Sequence, residues 1–198
     1  AVQVYSQAHQ HRIAFAITTN ASLLDEDIAR WCADLKVQLR VSLDGPATAH
    51  DIARVYPDGR PTFEDTMRGI QVWKAANPEE ASLSLRATLH GGTRDHLADI
   101  YGALAELRSG EVSFGFCWTG PADWKIGSDD ALRFEDQWTD LCEEYLSYLK
   151  KGYRHSLQPV GVYLAWAFVP GREFTRCGVA SGRHSTILPN GSLESCYN

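Results

Sequence analysis

The chain has 198 residues, a formal net charge of −6, and 44% hydrophobic residues. A chain of this length and composition can bury the core of one large globular domain. The acidic balance, with no cluster of lysine and arginine, argues against nucleic acid and against an anionic membrane surface, because both require a concentrated positive face.

Targeting signals and cysteine usage suggest a cellular compartment. No apolar run approaches the roughly 20 residues needed to cross a bilayer, and the opening AVQVYSQAHQHR lacks the apolar centre of a signal peptide. The five cysteines form an odd, sparse set, unlike a secreted disulfide scaffold. We therefore expect a cytoplasmic protein with reduced thiols. The start at Ala1 and the end just after Cys196 suggest a segment of a longer protein.

Short apolar runs alternate with amphipathic stretches along the first 120 residues. Strands are predicted at 12–20, 37–45, 82–91 and 112–120, and helices at 22–35, 62–76 and 94–108. Strands separated by helices, each apolar on both faces, indicate a parallel sheet covered by helices. The pattern predicts an α/β barrel or a doubly wound sheet. No GxGxxG follows a strand, which weakens the case for a dinucleotide fold.

The helix boundaries and the domain boundary are also predicted. Ser22, with Asp25 three residues later, is the candidate cap of the first helix. A long amphipathic helix is predicted over roughly 129–152, after which the composition becomes aromatic and rich in glycine. We therefore predict one domain over 1–152 and a second over 153–198.

Polar residues follow the predicted strands. They are Thr18, Thr19 and Asn20, then Ser42, Asp44 and Gly45, then Thr88 and His90. In barrels the chemistry lies at the carboxyl ends of the strands, but such residues also simply end strands and cap helices, and for a single position this second reading is favoured.

Several acidic and histidine side chains are candidates for acid–base chemistry: Asp44, Asp51, His50, His90 and His96. Their spacing matches no metal motif such as HExxH. His50 and His96 are expected at the surface, in a loop and in a helix respectively.

The segment CGVASGRHSTILPNGSLESC (177–196) places Cys177 and Cys196 at the ends of a predicted hairpin with its turn at 189–191. A disulfide, buried thiols, or two ligands of a metal site all remain open. Structural zinc needs four ligands, often in close pairs, whereas ligands of an iron–sulfur cluster can be spread over distant segments. The remaining cysteines are expected to be core thiols: Cys32, Cys117 and Cys142.

Two stretches together resemble one family. The spacing of Cys177, Gly191 and Cys196 resembles the opening of the SPASM domain of radical S-adenosylmethionine (SAM) maturases, which include the anaerobic sulfatase-maturing enzymes and many peptide-modifying enzymes. Residues 17–70 resemble the middle of the radical SAM core, with TN ending a strand, a VSLDG strand, and HDxxR followed by glycine and TF. The combination is specific, and it covers nearly the whole chain.

The resemblance implies a fold and an activity. Residues 1–152 would be the later part of a partial (β/α)6 TIM barrel, with the four predicted strands as its third to sixth. Residues 153–198 would begin a small SPASM or twitch domain. The family's CxxxCxxC loop does not occur within 1–198, so this segment alone is expected to be inactive, whereas the parent protein would be a radical SAM oxidoreductase.

The resemblance also implies roles for individual residues. Ser42 and Arg54 would contact the methionine carboxylate and ribose region of SAM, and Asn20 would line the cofactor pocket or cap its turn. Cys177 and Cys196 would be the first two ligands of an auxiliary 4Fe-4S cluster. The ligands of the radical SAM 4Fe-4S cluster would lie outside this segment. Expected partners are a peptide or protein substrate and a reductant such as flavodoxin or ferredoxin.

The leading functional hypothesis is therefore a segment of a radical enzyme that removes a hydrogen atom from a peptide or protein side chain, which starts an oxidation or a cross-link. One alternative is a non-catalytic peptide-binding or scaffold module of the same fold. Another is an unrelated α/β-barrel enzyme with a hairpin appendage. The substrate is not readable from the sequence.

Overall fold

The computed structural model describes residues 14–79, 82–158, 160 and 186–194. The strands are β1 (Ala16–Thr19), β2 (Gln38–Ser42), β3 (Leu83–Leu89), β4 (Glu111–Phe116), β5 (Ser156–Gln158), β6 (Thr186–Ile187) and β7 (Leu193–Glu194). The helices are α1 (Glu26–Asp34), α2 (Ala47–Ala53), α3 (Phe63–Ala76), α4 (Leu97–Ala105) and α5 (Ala131–Lys150), with a short 3-10 turn at Ser128–Asp130 before α5.

Five strands form a parallel sheet in the order β1-β2-β3-β4-β5. Neighbours in the sheet are also neighbours in the chain, because each pair is joined by a helical crossover that returns the chain to the same end of the sheet. The predicted α/β architecture is confirmed. The sequence pattern missed β5, which is three residues long and too short to show periodicity.

The sheet has one apolar and one polar face, whereas the strands were expected to be apolar on both. Alternate residues of β2 and β3 are buried: Leu39, Val41, Leu83, Leu85, Ala87 and Leu89. The helices pack on this face, and Trp73, Ile70, Ile100 and Leu104 join the same core cluster. The alternate positions of the opposite face are exposed or half-buried: Gln38, Arg40, Ser42, Ser84, Arg86 and Thr88. Because side chains alternate along a strand, this polar face is one continuous surface.

The first helix begins one turn later than the sequence suggested. Asp25, not Ser22, is its N-cap, and its Oδ1 accepts a hydrogen bond from the backbone N–H of Ile28 at 2.8 Å. Ser22 is buried, and its hydroxyl donates to Asn20 Oδ1 at 3.0 Å in the turn that follows β1. Because the Ser22 hydroxyl bonds to Asn20 within the turn after β1, the Asp25 carboxylate caps the helix instead.

A buried aromatic cluster connects α4 and α5 to the start of β5. The Tyr101 hydroxyl and His155 Nε2 are 2.8 Å apart, and the Tyr145 hydroxyl donates to the His155 carbonyl oxygen at 3.1 Å. Burial raises the pKa of Tyr101, so its hydroxyl stays protonated. These contacts hold the chain where it enters β5.

The chain divides into two compact units, Ala1–Gly161 and Val162–Asn198. The sequence predicted a boundary after residue 152, but β5 lies beyond that point and pairs with β4 in the sheet of the first unit. In the second unit, β6 and β7 pair antiparallel. Gly191 N–H donates to the Leu188 carbonyl at 2.8 Å, and Gly191 has a φ of 84°, as expected for a tight hairpin with Pro189 at the second turn position.

Two further structural findings bear on the sequence predictions. No helix of the described residues is both long and apolar enough to span a bilayer.

Cys32 is buried, as predicted, and burial raises its pKa. Cys117 and Cys142 are only half-buried, so their placement in the core was wrong; Cys117 lies just after β4, where its Sγ is 3.0 Å from the Thr119 carbonyl oxygen.

Candidate functional site

The carboxyl ends of β2 and β3 meet at a buried ion pair. Arg54, which follows α2, places its Nε 2.5 Å and its Nη2 3.1 Å from the two carboxylate oxygens of Asp44. Asp44 Oδ1 also accepts a hydrogen bond from the backbone N–H of Thr88 in β3 at 2.8 Å. The Asp44 side chain is 2% exposed and that of Arg54 is 28% exposed. Asp44 therefore joins two strand ends and fixes the plane of one guanidinium.

Arg54 keeps donors that this pair does not use. The ion pair occupies Nε and one hydrogen of Nη2, and within the described residues Nη1 has no hydrogen-bond partner. A guanidinium carries five N–H donors in a rigid fork. The predicted ligand-binding role of Arg54 is thus compatible with its contact to Asp44, because the Nη1 hydrogens and the second Nη2 hydrogen are not used in that contact.

His50 lies inside the protein rather than at the surface, which corrects the sequence prediction. It belongs to α2 and is 0% exposed. Its Nδ1 accepts the backbone N–H of Asp44 at 3.2 Å, and its Nε2 lies 3.1 Å from Thr62 Oγ1. The Thr62 hydroxyl donates to the Arg54 carbonyl oxygen at 2.6 Å, so Nε2 must carry the proton and donate to Thr62. Burial lowers the pKa of His50, which matches this neutral tautomer.

Asp51 is a structural residue in the same motif. Its Oδ1 accepts the backbone N–H groups of Thr62 and Phe63, at 2.9 and 3.0 Å, at the start of α3. A carboxylate at a helix N-terminus satisfies unpaired N–H groups and suits the helix dipole. His50 and Asp51 therefore hold the backbone around Arg54, and neither is placed as a free acid or base.

Ser42 ends β2 on the polar face, opposite Arg86 of β3 in the sheet register. It is half-buried, and its hydroxyl makes no hydrogen bond to any described residue. Arg86 is exposed and extends over Gly115 of β4, where a Cβ would lie 3.0 Å from Arg86 Nη2. Arg86 was not among the predicted site residues, although the polar alternation in LSLRATLH places it on the same face as Thr88.

Asn20 follows β1 at the same edge of the sheet and is exposed. Its Oδ1 accepts the backbone N–H of Ser22 at 3.2 Å as well as the Ser22 hydroxyl, and its backbone carbonyl accepts from the Thr66 hydroxyl at 3.0 Å. Asn20 therefore closes the turn after β1. Lining of a cofactor pocket by Asn20 stays a prediction.

His90 follows β3 and continues the alternation of Arg86 and Thr88. It is 2% exposed, and its ring stacks on Trp124 with ring centroids 4.7 Å apart and planes 20° apart. The Gly91 N–H donates to the Trp124 carbonyl at 3.0 Å, so the loop after β4 lies over the end of β3. His96 is exposed, as predicted, with its Nδ1 3.6 Å from Asp99.

The arrangement fits an anionic organic ligand better than a metal ion. In the described part of the chain, no group of three or more histidine, cysteine, aspartate or glutamate side chains is placed to hold a metal. A half-buried hydroxyl and an oriented guanidinium at one sheet edge are donors that suit a carboxylate. Cys177 and Cys196 lie outside the described residues, so their predicted cluster stays a prediction.

Comparisons with known proteins agree with this fold. No family model matches the chain. An uncharacterized protein of Methanocaldococcus jannaschii is 38% identical over 65 residues, which are 33% of this chain and 22% of that protein. Among solved structures, anSMEcpe, an anaerobic sulfatase-maturing enzyme, with bound AdoMet matches 88% of this chain and 50% of its own at 18% identity, with a TM-score of 0.70.

The same enzyme with bound AdoMet and the Cp18Cys peptide matches 100% of this chain and 57% of its own at 18% identity, with a TM-score of 0.76. This chain therefore spans about half the length of the solved structures that it matches. The predicted α/β fold of a partial barrel is confirmed, and it is similar to the fold of these solved structures.

Proposed function

We propose that this chain is a segment of a radical SAM enzyme that modifies a peptide or protein side chain by removing a hydrogen atom from it. The observation that carries the proposal is the ion pair of Arg54 with Asp44, which follows Ser42 by two residues at the carboxyl end of β2, in a sheet with this fold. A cluster bound elsewhere in the full protein would supply the electron that cleaves SAM.

The residues of this chain would bind and orient SAM. Arg54 would offer the free edge of its guanidinium to the methionine carboxylate while Asp44 holds the plane of the fork. Ser42 would donate its unused hydroxyl from the end of β2. Fixing the carboxylate at two points limits rotation of the bound cofactor, and such positioning is a general source of rate enhancement.

The peptide substrate and the auxiliary cluster belong to the same proposal. A related fold has been solved with AdoMet and a peptide together, which supports a peptide partner here. Cys177 and Cys196 would be the first two ligands of the auxiliary cluster, as the SPASM-like spacing suggests. A flavodoxin or ferredoxin would deliver the electron.

The test uses the full-length protein, reconstituted anaerobically with iron and sulfide. SAM binding is measured by equilibrium methods, and 5′-deoxyadenosine formation is measured after chemical reduction. Ser42→Ala and Arg54→Lys are each expected to weaken SAM binding, the second about 10-fold or more, because lysine keeps the charge but loses the planar fork. Arg60→Lys is the matched control, since Arg60 is an exposed arginine paired with Asp58.

The outcomes separate the three functional hypotheses. SAM binding that depends on Arg54, with formation of 5′-deoxyadenosine, supports the proposal. Peptide binding without 5′-deoxyadenosine would indicate the scaffold module. No SAM binding at all by the wild-type protein would favour an unrelated α/β-barrel enzyme.

A further inference from the structure

His90 carries a buried polar atom that has no partner among the described residues. Three side chains of the described residues contain such an atom, namely Arg40, His90 and Arg94. Arg40 and Arg94 use other nitrogens in ion pairs with Glu111 and Asp130. His90 is 2% exposed, and its other ring nitrogen, Nδ1, accepts one backbone hydrogen bond but forms no ion pair. A buried polar group without a hydrogen bond is costly, so its retention calls for a reason.

The local geometry defines what this atom offers. His90 Nδ1 accepts the backbone N–H of Gly92 at 3.1 Å, so in the neutral ring the proton lies on Nε2. Burial lowers the pKa of His90, which keeps the ring neutral. His90 is therefore a neutral donor whose N–H points to no acceptor among the described residues.

The position of His90 relates this donor to the site already described. It directly follows β3, two residues after Thr88, whose backbone N–H binds Asp44. The charges of Asp44 and Arg54 both act on the imidazole, with opposite effects on its pKa. The unused donor thus belongs to the same edge of the sheet as the unused donors of Arg54 and Ser42.

We propose that His90 is a further SAM-positioning residue, which donates a hydrogen bond from Nε2 to an acceptor atom of the bound cofactor. This inference rests on the proposed function. Nε2 is buried in this structure, so atoms around the ring must move for SAM to reach it. Trp124 stacks on one face of the ring, and the loop after β4 is joined to the end of β3 by backbone hydrogen bonds from Gly91 to Trp124 and from Cys117 to Leu89.

The test compares two substitutions of the full-length, reconstituted protein. His90→Phe keeps a flat ring but removes the donor, whereas His90→Gln keeps an N–H donor close to the position of Nε2. We expect His90→Phe to weaken SAM binding about 10-fold and His90→Gln to restore most of the affinity. His96→Phe is the control, because His96 is exposed and lies outside this edge.

Two further measurements separate ligand positioning from a purely structural role. Thermal unfolding without SAM should change little in His90→Phe, because Nε2 has no partner among the described residues and the one hydrogen bond that is lost, from the Gly92 N–H to Nδ1, lies at an exposed residue where water can replace it. Binding of 5′-methylthioadenosine, which lacks the carboxylate, shows which half of SAM is contacted. A loss limited to SAM assigns the contact to the amino-acid half, and a loss for both ligands assigns it to the adenosyl half.

Three results would overturn the inference. SAM affinity equal to wild type in His90→Phe refutes it while leaving the proposed function intact. Equal losses in His90→Phe and His90→Gln would also refute it, because the donor would then not matter. Absence of SAM binding by the wild-type protein would refute the proposed function and the inference together.

Discussion

Asp44 and Arg54, ten residues apart in the chain, form a two-point ion pair of 2.5 and 3.1 Å at the carboxyl edge of the sheet. The pair is built by the segment between them. His50 holds the backbone of Asp44 and, through Thr62, the carbonyl of Arg54. A guanidinium on a flexible stem thereby acquires one defined orientation, which is the condition for binding a planar carboxylate.

The ion pair is expected to contribute strongly to stability. Asp44→Asn removes the buried charge that balances Arg54 and weakens three hydrogen bonds, so the free energy of unfolding should fall by about 3 kcal/mol, the lower end for buried pairs because Arg54 is partly exposed. Urea unfolding measures the change. Asp58→Asn is the control, since Asp58 Oδ2 contacts Arg60 Nε at 2.7 Å in an exposed pair; an equal loss in both variants would contradict the role of burial.

Stability should fall in mild acid. Burial lowers the pKa of His50 and His90. In the unfolded chain histidine has a pKa of about 6.5, so below this pH the unfolded chain binds protons that the folded chain does not bind. The stability is fully present above about pH 6.5 and is lost below it, with a slope of up to about 1.4 kcal/mol per pH unit for each histidine. Unfolding midpoints in urea between pH 8 and pH 5 measure this slope.

A substitution identifies the histidine responsible for part of that slope. His50→Asn keeps an oxygen that can accept the Asp44 N–H but removes the titrating ring. The number of protons bound on unfolding in mild acid should therefore fall by about one, and the slope of stability against pH should fall in proportion. His96→Asn should leave the slope unchanged, because His96 is exposed. An unaltered slope in His50→Asn would show that His50 titrates normally in the folded protein.

Close packing of α3 on the turn after β1 requires glycine at position 69. A Cβ on Gly69 would lie 2.1 Å from the Ala21 carbonyl oxygen, which is backbone and cannot move away freely. Gly69→Ala should therefore cost about 1–3 kcal/mol of stability. Gly102→Ala is the matched control within α4, since its Cβ would meet only the flexible carboxylate end of Glu144. The higher helix propensity of alanine should offset much of the free-energy cost of that contact. Equal losses of stability in Gly69→Ala and Gly102→Ala would contradict this explanation.

Iron content tests the predicted ligands in the second unit. In the full-length protein reconstituted anaerobically, Cys177→Ala and Cys196→Ala should each lower the bound iron and the cluster absorbance, because thiolates hold such clusters. Cys142→Ala should change neither, since Cys142 is a half-buried thiol of α5 whose pKa is raised by burial. Iron equal to wild type in both ligand variants would remove the assignment.

The sequence determined the order of strands and helices in the first unit. Short apolar runs and the helical spacing of apolar residues are local patterns, and they correctly indicated β1 to β4, the main helices and a parallel sheet. Glycine and proline at 189–191 likewise indicated the hairpin of β6 and β7. The three-residue strand β5 was missed because its place depends on pairing with β4 and on contacts to Tyr101 and Tyr145, which no local pattern contains.

In the candidate site, too, the sequence indicated some features and the tertiary structure decided the others. The sequence alone singled out Ser42, Asp44, His90 and the HDxxR segment, because polar residues after buried strands and a family-like motif can be read directly from a chain. Only the tertiary structure decided what each of them does. The structure brings together atoms from different strands and loops. Their positions decide the burial of His50, the contact of Asp44 with Arg54, and the lack of a partner for His90 Nε2 among the described residues. Burial and hydrogen bonding are properties of that assembly, so no single segment of the sequence contains them.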